Sequence, residues 1–478
     1  MAADAIIEQT MALDLPPTAP DGESPREAST ETLPPHPDAT PSAECHPCVV
    51  GTDVPRSLIR PKVLSAFTGA GGLDLGLECA GYEIIACIDN DPQARATMLA
   101  NRKVRFLPPH EIVQVARTLR PEDLGLQRGE LDVLAGAPPC QPYSKAAQWA
   151  EKAVKGIEDP RGSNGLMGFL MLVHQFLPRV ILIENVPGFV RGKNSVISFL
   201  EHYFELLNLK QGTLYRLHAE VVDAVNWGIP QRRERAILIA CRDGECIRMP
   251  EPTHRDAPVR AYDALHGIEV ADPPRPKGKW KHLLPSIPEG KNYLWHTPGG
   301  GGRPLFGYRT RFWSFLLKLA KAEPSWTLPA SPGPATGPFH WEGRPLAVEE
   351  MLRLQTFPAD WKVQGAYKAQ VRQIGNATPP LLGEVIGRLV GEQVFRMEYT
   401  EQPRLAINRR TEIPAPENPK PVPGEYHALE GEHAPHPGAG KGPRPRVPPE
   451  EAPVLANAAP ALAVPGLQAG TEGLADAA

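Results

Sequence analysis

VLSAFTGAGGLDLGLECAGYEIIACID, residues 63–89, reads as a strand, a glycine turn, a helix and a second strand. The apolar run Val63–Phe67 leads into Phe67-Thr68-Gly69-Ala70-Gly71-Gly72, a helical stretch begins at Leu73, and the next run, Ile84–Ile88, ends at Asp89. Glycines after a strand permit a tight turn and let a ligand approach the backbone closely. Asp89 lies twenty residues beyond Gly69, where a carboxylate can accept hydrogen bonds from both hydroxyls of a ribose. The unit predicts a site for an adenosine-containing cofactor; for the glycines alone, an ordinary strand-to-helix turn is the plainer alternative. A dinucleotide fingerprint would place a third glycine at position 74, where Asp74 stands. That residue argues against NAD and tolerates a cofactor without a pyrophosphate.

Outward from this unit the alternation continues. Apolar runs recur at Leu131–Ala135, Val180–Ile183 and Ala236–Ala240, with helix-like spacing at Gly168–Phe176 and Val196–Leu207. Such alternation predicts βαβ units and a largely parallel sheet in an α/β fold. The pattern breaks near residue 241 and returns as a helix at Val348–Leu354. The chain is thus expected to comprise an acidic, proline-rich arm (1–57), a catalytic and cofactor-binding domain (58–245), a smaller domain (246–340), a return to the first domain (341–398) and a Pro/Ala-rich tail (399–478). The arm carries ten prolines and a charge near −8, and residues 401–478 carry fifteen prolines. Segments of this kind bury too little apolar surface to offset their ordering entropy, so both are expected to be disordered and dispensable.

At 41% hydrophobic and 22% charged residues the 478-residue chain has the composition of a soluble globular protein. No run approaches the ~18 apolar residues of a membrane span, and the N-terminus lacks the basic and apolar regions of a secretory leader. Seven cysteines suggest no disulfide framework and a reducing cytosol. Cys45-His46-Pro47-Cys48 is a single pair in a proline-rich arm, and no metal site is expected from it. The net charge of −4 hides one block: residues 275–321 hold ten Lys/Arg against Glu289 alone, with eight aromatics. Such a block supplies phosphate attraction, while base-edge contacts supply sequence choice. Arg303, Arg309 and Arg311, beside the flexible Gly299–Gly302 loop, are the candidate base readers. A solvated basic surface over an aromatic core containing Phe312, Phe315 and Leu316 is the blander alternative.

The remaining strand ends carry chemistry. The third run leads into Ala137-Pro138-Pro139-Cys140-Gln141-Pro142. Two prolines fix the backbone before the thiol, and a cysteine at a strand's carboxyl end near a helix start is placed where its pKa can fall. Cys79, Cys87 and Cys241 lie in apolar runs and read as small buried residues. The fourth run ends in Glu184-Asn185-Val186-Pro187, where a partly desolvated acid can donate a proton. The fifth follows Gln231-Arg232-Arg233-Glu234-Arg235; alternate arginines entering a strand share one face.

In this order, FTGAGGLDLGLECAGYE, GAPPCQPYS, DPRGSNGL (159–166), IENVPGF, QRRER, RPLAVEEMLRLQTFP (344–358) and QIGNATPPLLGEVIG (373–387) resemble the motifs of the cytosine-5 DNA methyltransferase family, of the bacterial restriction–modification type. The resemblance spans almost all of residues 60–395. It implies a Rossmann-like S-adenosylmethionine-dependent methyltransferase sheet with a smaller target-recognition domain. The implied reaction moves a methyl group from S-adenosylmethionine to carbon 5 of a cytosine within a specific duplex DNA sequence. Cys140 is then the nucleophile at carbon 6 and Glu184 the donor to ring nitrogen 3; Arg235 orients Glu184 and the base oxygen, with Arg233 nearby. Because the target carbon is inaccessible in a stacked duplex, the base must be flipped out. Phe67, Gly69, Gly71, Gly72, Asp89, Asn90, Glu111, Pro138, Leu166, Asn376 and Ala377 are implied to bind the cofactor. Gln141, Ser144 and Gln231 join the three arginines as DNA contacts. The chain departs from the family at Asp89 and Glu111, usually Glu and Asp, at Ala347 and Glu349, usually Thr and Arg, and at Thr378, usually Val. Duplex DNA is the expected partner, with a restriction endonuclease as functional counterpart, no membrane and a monomeric state, in the bacterial cytoplasm at the nucleoid. The rivals are a tRNA cytosine-5 methyltransferase, against which the ~100 residues between QRRER and RPLAVEE speak, and a catalytically silent DNA-binding regulator, against which the presence of Cys140, Glu184 and Arg235 speaks.

Overall fold

The computed structural model describes residues 60–140, 143, 160–307, 311–403 and 412–430. In chain order the first domain contributes β1 (Lys62–Ala66), α1 (Gly72–Cys79), β2 (Glu83–Ile88), α2 (Pro92–Asn101), α3 (Ile112–Thr118), β3 (Val133–Gly136), α4 (Pro160–Phe176), β4 (Val180–Asn185), α5 (Ile197–Gln211), β5 (Arg216–Asp223), β6 (Gln231–Arg232) and β7 (Glu234–Cys241). The second region holds α6 (Ala261–Leu265) and β8 (Ser325–Trp326), and α7 (Val348–Leu354), α8 (Tyr367–Asn376) and α9 (Pro380–Gln393) follow. All five apolar runs are strands. They join β5 in a six-stranded sheet of order β2-β1-β3-β4-β7-β5. Only β7 runs against the others. β5 shows no apolar run because it is an edge strand whose residues are mostly exposed or half-buried.

The register sets the site. Ala66 pairs with Ile88 and with Gly136, and Gly136 with Ile183, so β1 to β4 end along one edge. The reversed β7 then brings its beginning to that edge: Asn185 pairs with Ala236, which places Arg235 beside the end of β4. Both sheet faces are covered, as continuous apolar strands require. Leu64, Leu134, Ile181 and Leu238 pack with Phe169, Phe176 and Tyr203 of α4 and α5. Val63, Val133, Leu182 and Ile239 pack with Leu77 of α1 and Leu382 and Ile386 of α9. Each such side chain contributes about 1.5–3 kcal/mol on burial. Cys87 and Cys241 are buried in this core, whereas Cys79 is half-buried.

The second region has little regular structure. Gln231 and Arg232 of β6 pair with Ser325 and Trp326 of β8 and tie the two regions together. Its core is aromatic: Tyr293, Phe306 and Phe315 pack with Leu283, Leu284, Ile287 and Leu316. Phe315 and Leu316 are core as expected, but Phe312 is 53% exposed and Trp313 41%.

One expectation fails here. Part of the tail, within residues 412–430, is anchored at Tyr426 rather than free, although most of its residues are exposed. The Tyr426 ring is 3% exposed and lies in this core. It stacks on Trp280 at 5.9 Å and 14°, its hydroxyl donates to the Lys279 carbonyl at 2.8 Å, and the Lys420 amide donates to the Pro285 carbonyl at 3.0 Å. A proline-rich segment has no apolar periodicity, yet it loses little entropy when it docks on aromatics. Tyr426→Ala is therefore expected to destabilise the protein by about 3–5 kcal/mol, the range for truncating a buried aromatic. A calorimetric transition unchanged from wild type would show that the segment is not part of the folded unit.

Candidate active site

Beyond the ends of β1 to β4 lies a cleft of about 400 Å³, and a second of about 430 Å³ shares Phe67, Asp89, Asn90 and Pro139 with it. The loop after β1 is left-handed at Phe67 (φ 58°), Gly69 (φ 57°) and Gly71 (φ 80°). For a phenylalanine this conformation costs about 1–3 kcal/mol, as is common at ligand sites. A Cβ at Gly72 would lie 2.0 Å from the Thr378 carbonyl oxygen; the end of α8 presses on the loop there. Asp89 caps the loop: its carboxylate accepts from the Gly69 amide at 2.7 Å and the Asp91 amide at 2.8 Å. Burial raises the Asp89 pKa. The Asn90 amide donates to Glu111 at 2.8 Å across the second cleft.

Several expected cofactor residues line these clefts: Phe67, Gly69, Gly72, Asp89, Asn90, Pro138, Asn376 and Ala377 the first, Glu111 the second. Two do not. Gly71 faces Met98 and Trp361, and Leu166 is buried in the core while its neighbours Asn164 and Gly165 reach the second cleft. Asp91, Arg372 and Thr378 line the first cleft and were missed. Asp91 had a signal, since an Asp before a proline commonly caps a helix, and its carboxylate accepts from the Gln93 amide at 2.8 Å. Arg372 sits one helical turn before Asn376 and pairs with Asp91 at 2.7 Å.

The lining fits an adenosine cofactor without a pyrophosphate. Apolar walls from Phe67, Pro138 and Pro139 stand beside the Asp89 carboxylate, and the two wall arginines, Arg372 and Arg235, are already paired with acids. Asp74 lies buried beneath the loop, accepting from the Ser65 hydroxyl at 2.5 Å, with its pKa raised by burial to about 7 and its other oxygen unpartnered. An acid at the helix start opposes a pyrophosphate there.

Cys140 is half-buried on the same cleft wall as Glu184 and Arg235. The Asn185 side chain donates to the Pro138 carbonyl at 3.0 Å and pins the loop that carries the thiol. Glu184 is 4% exposed. Its Oε1 is buried and ion-paired with Arg235, 2.9 Å from Nε. Burial pushes the Cys140 thiol up, Arg235 draws it down and Glu184 pushes it up again. The lowered thiol expected from the sequence is thus reversed, because burial outweighs the nearby cation. Arg233 is fully buried and does not line the cleft; its guanidinium donates to the carbonyls of Gly375 and Ala377 at 3.0 and 2.8 Å. It braces the end of α8 and so acts on the cleft from behind.

The expected DNA contacts divide. Gln141, Ser144 and Arg309 lie outside the described residues. Gln231 is fully buried, its amide donating to Gln355 at 3.0 Å and accepting from the Leu328 amide at 3.0 Å; it joins the two regions and is closed to DNA. Arg311 is exposed. Arg303 is partly exposed and paired with Glu430. The Gly299–Gly302 loop is packed rather than free: the Gly302 amide donates to the Trp295 carbonyl at 2.9 Å, and a Cβ at Gly301 would meet the Trp295 ring. Cys45 and Cys48 lie outside the described residues; among those described, no cluster of His, Cys, Asp and Glu could hold a metal, and no helix is long and apolar enough to cross a membrane.

The sequence profile described as C-5 cytosine-specific DNA methylase matches residues 61–294 and 320–392. Type II methyltransferase M.SacI of Streptomyces achromogenes is 32% identical over 380 residues, covering 70% of this chain and 93% of the relative. Type II methyltransferase M.PspPI of Psychrobacter sp. is 31% identical over 355 residues, covering 69% and 78%. Among solved structures, a prophage-encoded DNA modification methyltransferase of E. coli is similar in fold, with a TM-score of 0.51 at 21% identity over 70% of this chain and 99% of that one.

Proposed function

Because this chain belongs to the C-5 cytosine-specific DNA methylase family, whose methyl donor is S-adenosylmethionine, we propose that it methylates carbon 5 of a cytosine flipped out of a specific duplex DNA sequence, with Cys140 as covalent nucleophile. The observation that carries this reading is the meeting of Cys140, Glu184 and Arg235 with the Phe67–Gly72 loop and Asp89 on one cleft wall. The Cys140 thiolate adds to carbon 6, which makes carbon 5 nucleophilic and splits one hard step into easier ones. Glu184, which lines the cleft, hydrogen-bonds or protonates ring nitrogen 3, and Arg235 holds that carboxyl in place. The cofactor, when bound, would supply the methyl group; carbon 5 then gives its proton to solvent water, the carbon 5–carbon 6 double bond re-forms and the Cys140 thiolate departs from carbon 6. Asp89, Asn90, Phe67, Asn376 and Thr378 hold the cofactor. The flipped base costs a few kcal/mol of lost stacking, offset by contacts from the basic second region, residues 246–340, which chooses the sequence. By analogy with the relatives' names, the activity protects host DNA beside a restriction endonuclease.

Labelled methyl transfer to duplex DNA against bulk tRNA tests the substrate, and bisulfite sequencing of DNA from expressing cells reads the target site. Transfer to tRNA alone would overturn the proposal. Grafting residues 250–335 from a relative with a different target should move the methylated site. An active hybrid that keeps the original site would place recognition elsewhere.

A further inference from the structure

The tail segment 412–430, anchored at Tyr426, lies beyond the residues that the family profile matches. It is acidic, with four glutamates against Lys420, and it lies on the region that contains the most basic block of the chain. Its two ends differ in how they are held. Tyr426 is sealed in the aromatic core, as described above. Four residues on, the Glu430 carboxylate pairs with the Arg303 guanidinium, and His427 Nε2 lies 2.8 Å from Arg303 Nη1. Here both partners face water: the Arg303 side chain is 41% exposed and that of Glu430 35%. A pair this exposed is weakly held and easily exchanged. The backbone beneath it is firm, since the Arg303 carbonyl is bonded to His296 Nδ1 at 3.0 Å and accepts from the Leu305 amide at 3.0 Å. A guanidinium that accepts a carboxylate from one side offers the same fork of donors to a phosphodiester.

We propose that Arg303 is a DNA-phosphate position of the second region, and that Glu430 occupies it in the DNA-free protein as a stand-in for the phosphate that displaces it. The inference rests on duplex DNA being the substrate. It also changes the role expected for Arg303, from reading a base to gripping the backbone. Tyr426 keeps the segment docked while its acidic end lets go, so Glu430 stays close and competes whenever DNA leaves.

The test is duplex binding by the full chain over a range of salt, with Glu430→Gln, Glu425→Gln, Arg303→Gln and the Glu430→Gln/Arg303→Gln double variant. Glu425→Gln makes the same change in net charge on the same segment without touching Arg303. Glu430→Gln should tighten binding about three- to tenfold at low salt, well beyond Glu425→Gln, with the gain shrinking as salt rises. Arg303→Gln should lower the slope of log affinity against log salt by about 0.9, one phosphate's worth. In the Arg303→Gln background the gain from Glu430→Gln should vanish, and Glu430→Ala should behave as Glu430→Gln does. Equal effects of Glu430→Gln and Glu425→Gln, or a gain that persists without Arg303, would overturn the proposal while wild-type methylation of duplex DNA still stood. A wild type that neither binds nor methylates duplex DNA would remove the substrate reading and this inference together.

Discussion

Replacing Cys140 by serine abolishes methyl transfer, a loss on the order of 10⁴-fold or more, the scale seen when an enzyme loses its nucleophile. Cofactor affinity should hardly change, because the residues around Asp89 and the Phe67–Gly72 loop keep their contacts. A serine hydroxyl is far less acidic than even a buried thiol. Duplex DNA carrying 5-fluorocytosine at the target should trap wild type as a covalent complex stable on a denaturing gel, since carbon 5 then has no proton to lose. The serine variant should trap none. Full activity in that variant would end the assignment of Cys140.

Arg235→Met should have the next largest effect. Arg235 steadies a 4%-exposed Glu184 and is the main attraction opposing the burial that raises the Cys140 thiol. Without it the thiol pKa climbs further, so less thiolate is present at any given pH. The rising limb of kcat/KM should therefore move to higher pH, and the maximum should fall by about 10²- to 10⁴-fold as positioned proton transfer is lost. Glu184 would be left as an unpaired buried charge, a destabilisation of about 3–5 kcal/mol. Adding Glu184→Gln should restore part of the thermal stability but none of the activity. An unshifted pH profile in Arg235→Met would show that this arginine does not govern the thiol.

Much of this site was legible because strand ends carry it. The apolar runs before Gly69, Asp89, Cys140 and Glu184 are buried on both sheet faces, and buried parallel strands cannot hide in a sequence. Edge strand β5 hid because its residues are mostly not buried. What the sequence could not show was the state of charge at Cys140, which depends on how tightly the cleft closes around it. Nor could it separate Arg233 from Arg235. Both precede or begin the same strand, yet one turns inward to the carbonyls of Gly375 and Ala377 and the other reaches the cleft. Gln231 misled for a similar reason: a polar residue in a functional motif can serve as a joint between regions. The tail misled in the opposite direction. Its prolines suggested disorder, and the partner that anchors it, the aromatic cluster around Trp280, lies 146 residues before Tyr426 in sequence.

The contact between Gly72 and the Thr378 carbonyl also has a bearing on biosynthesis. One wall of the cofactor cleft is made near residue 70 and another by residues 372–378. At a translation rate of roughly 5–20 residues per second, the second wall emerges about 15–60 s after the first. A nascent chain or prematurely terminated fragment would carry Cys140, Glu184 and Arg235 without a closed seat for the methyl donor. Modification activity would therefore switch on only after residues 372–378 have emerged, and chains stopped before them would be inert on DNA.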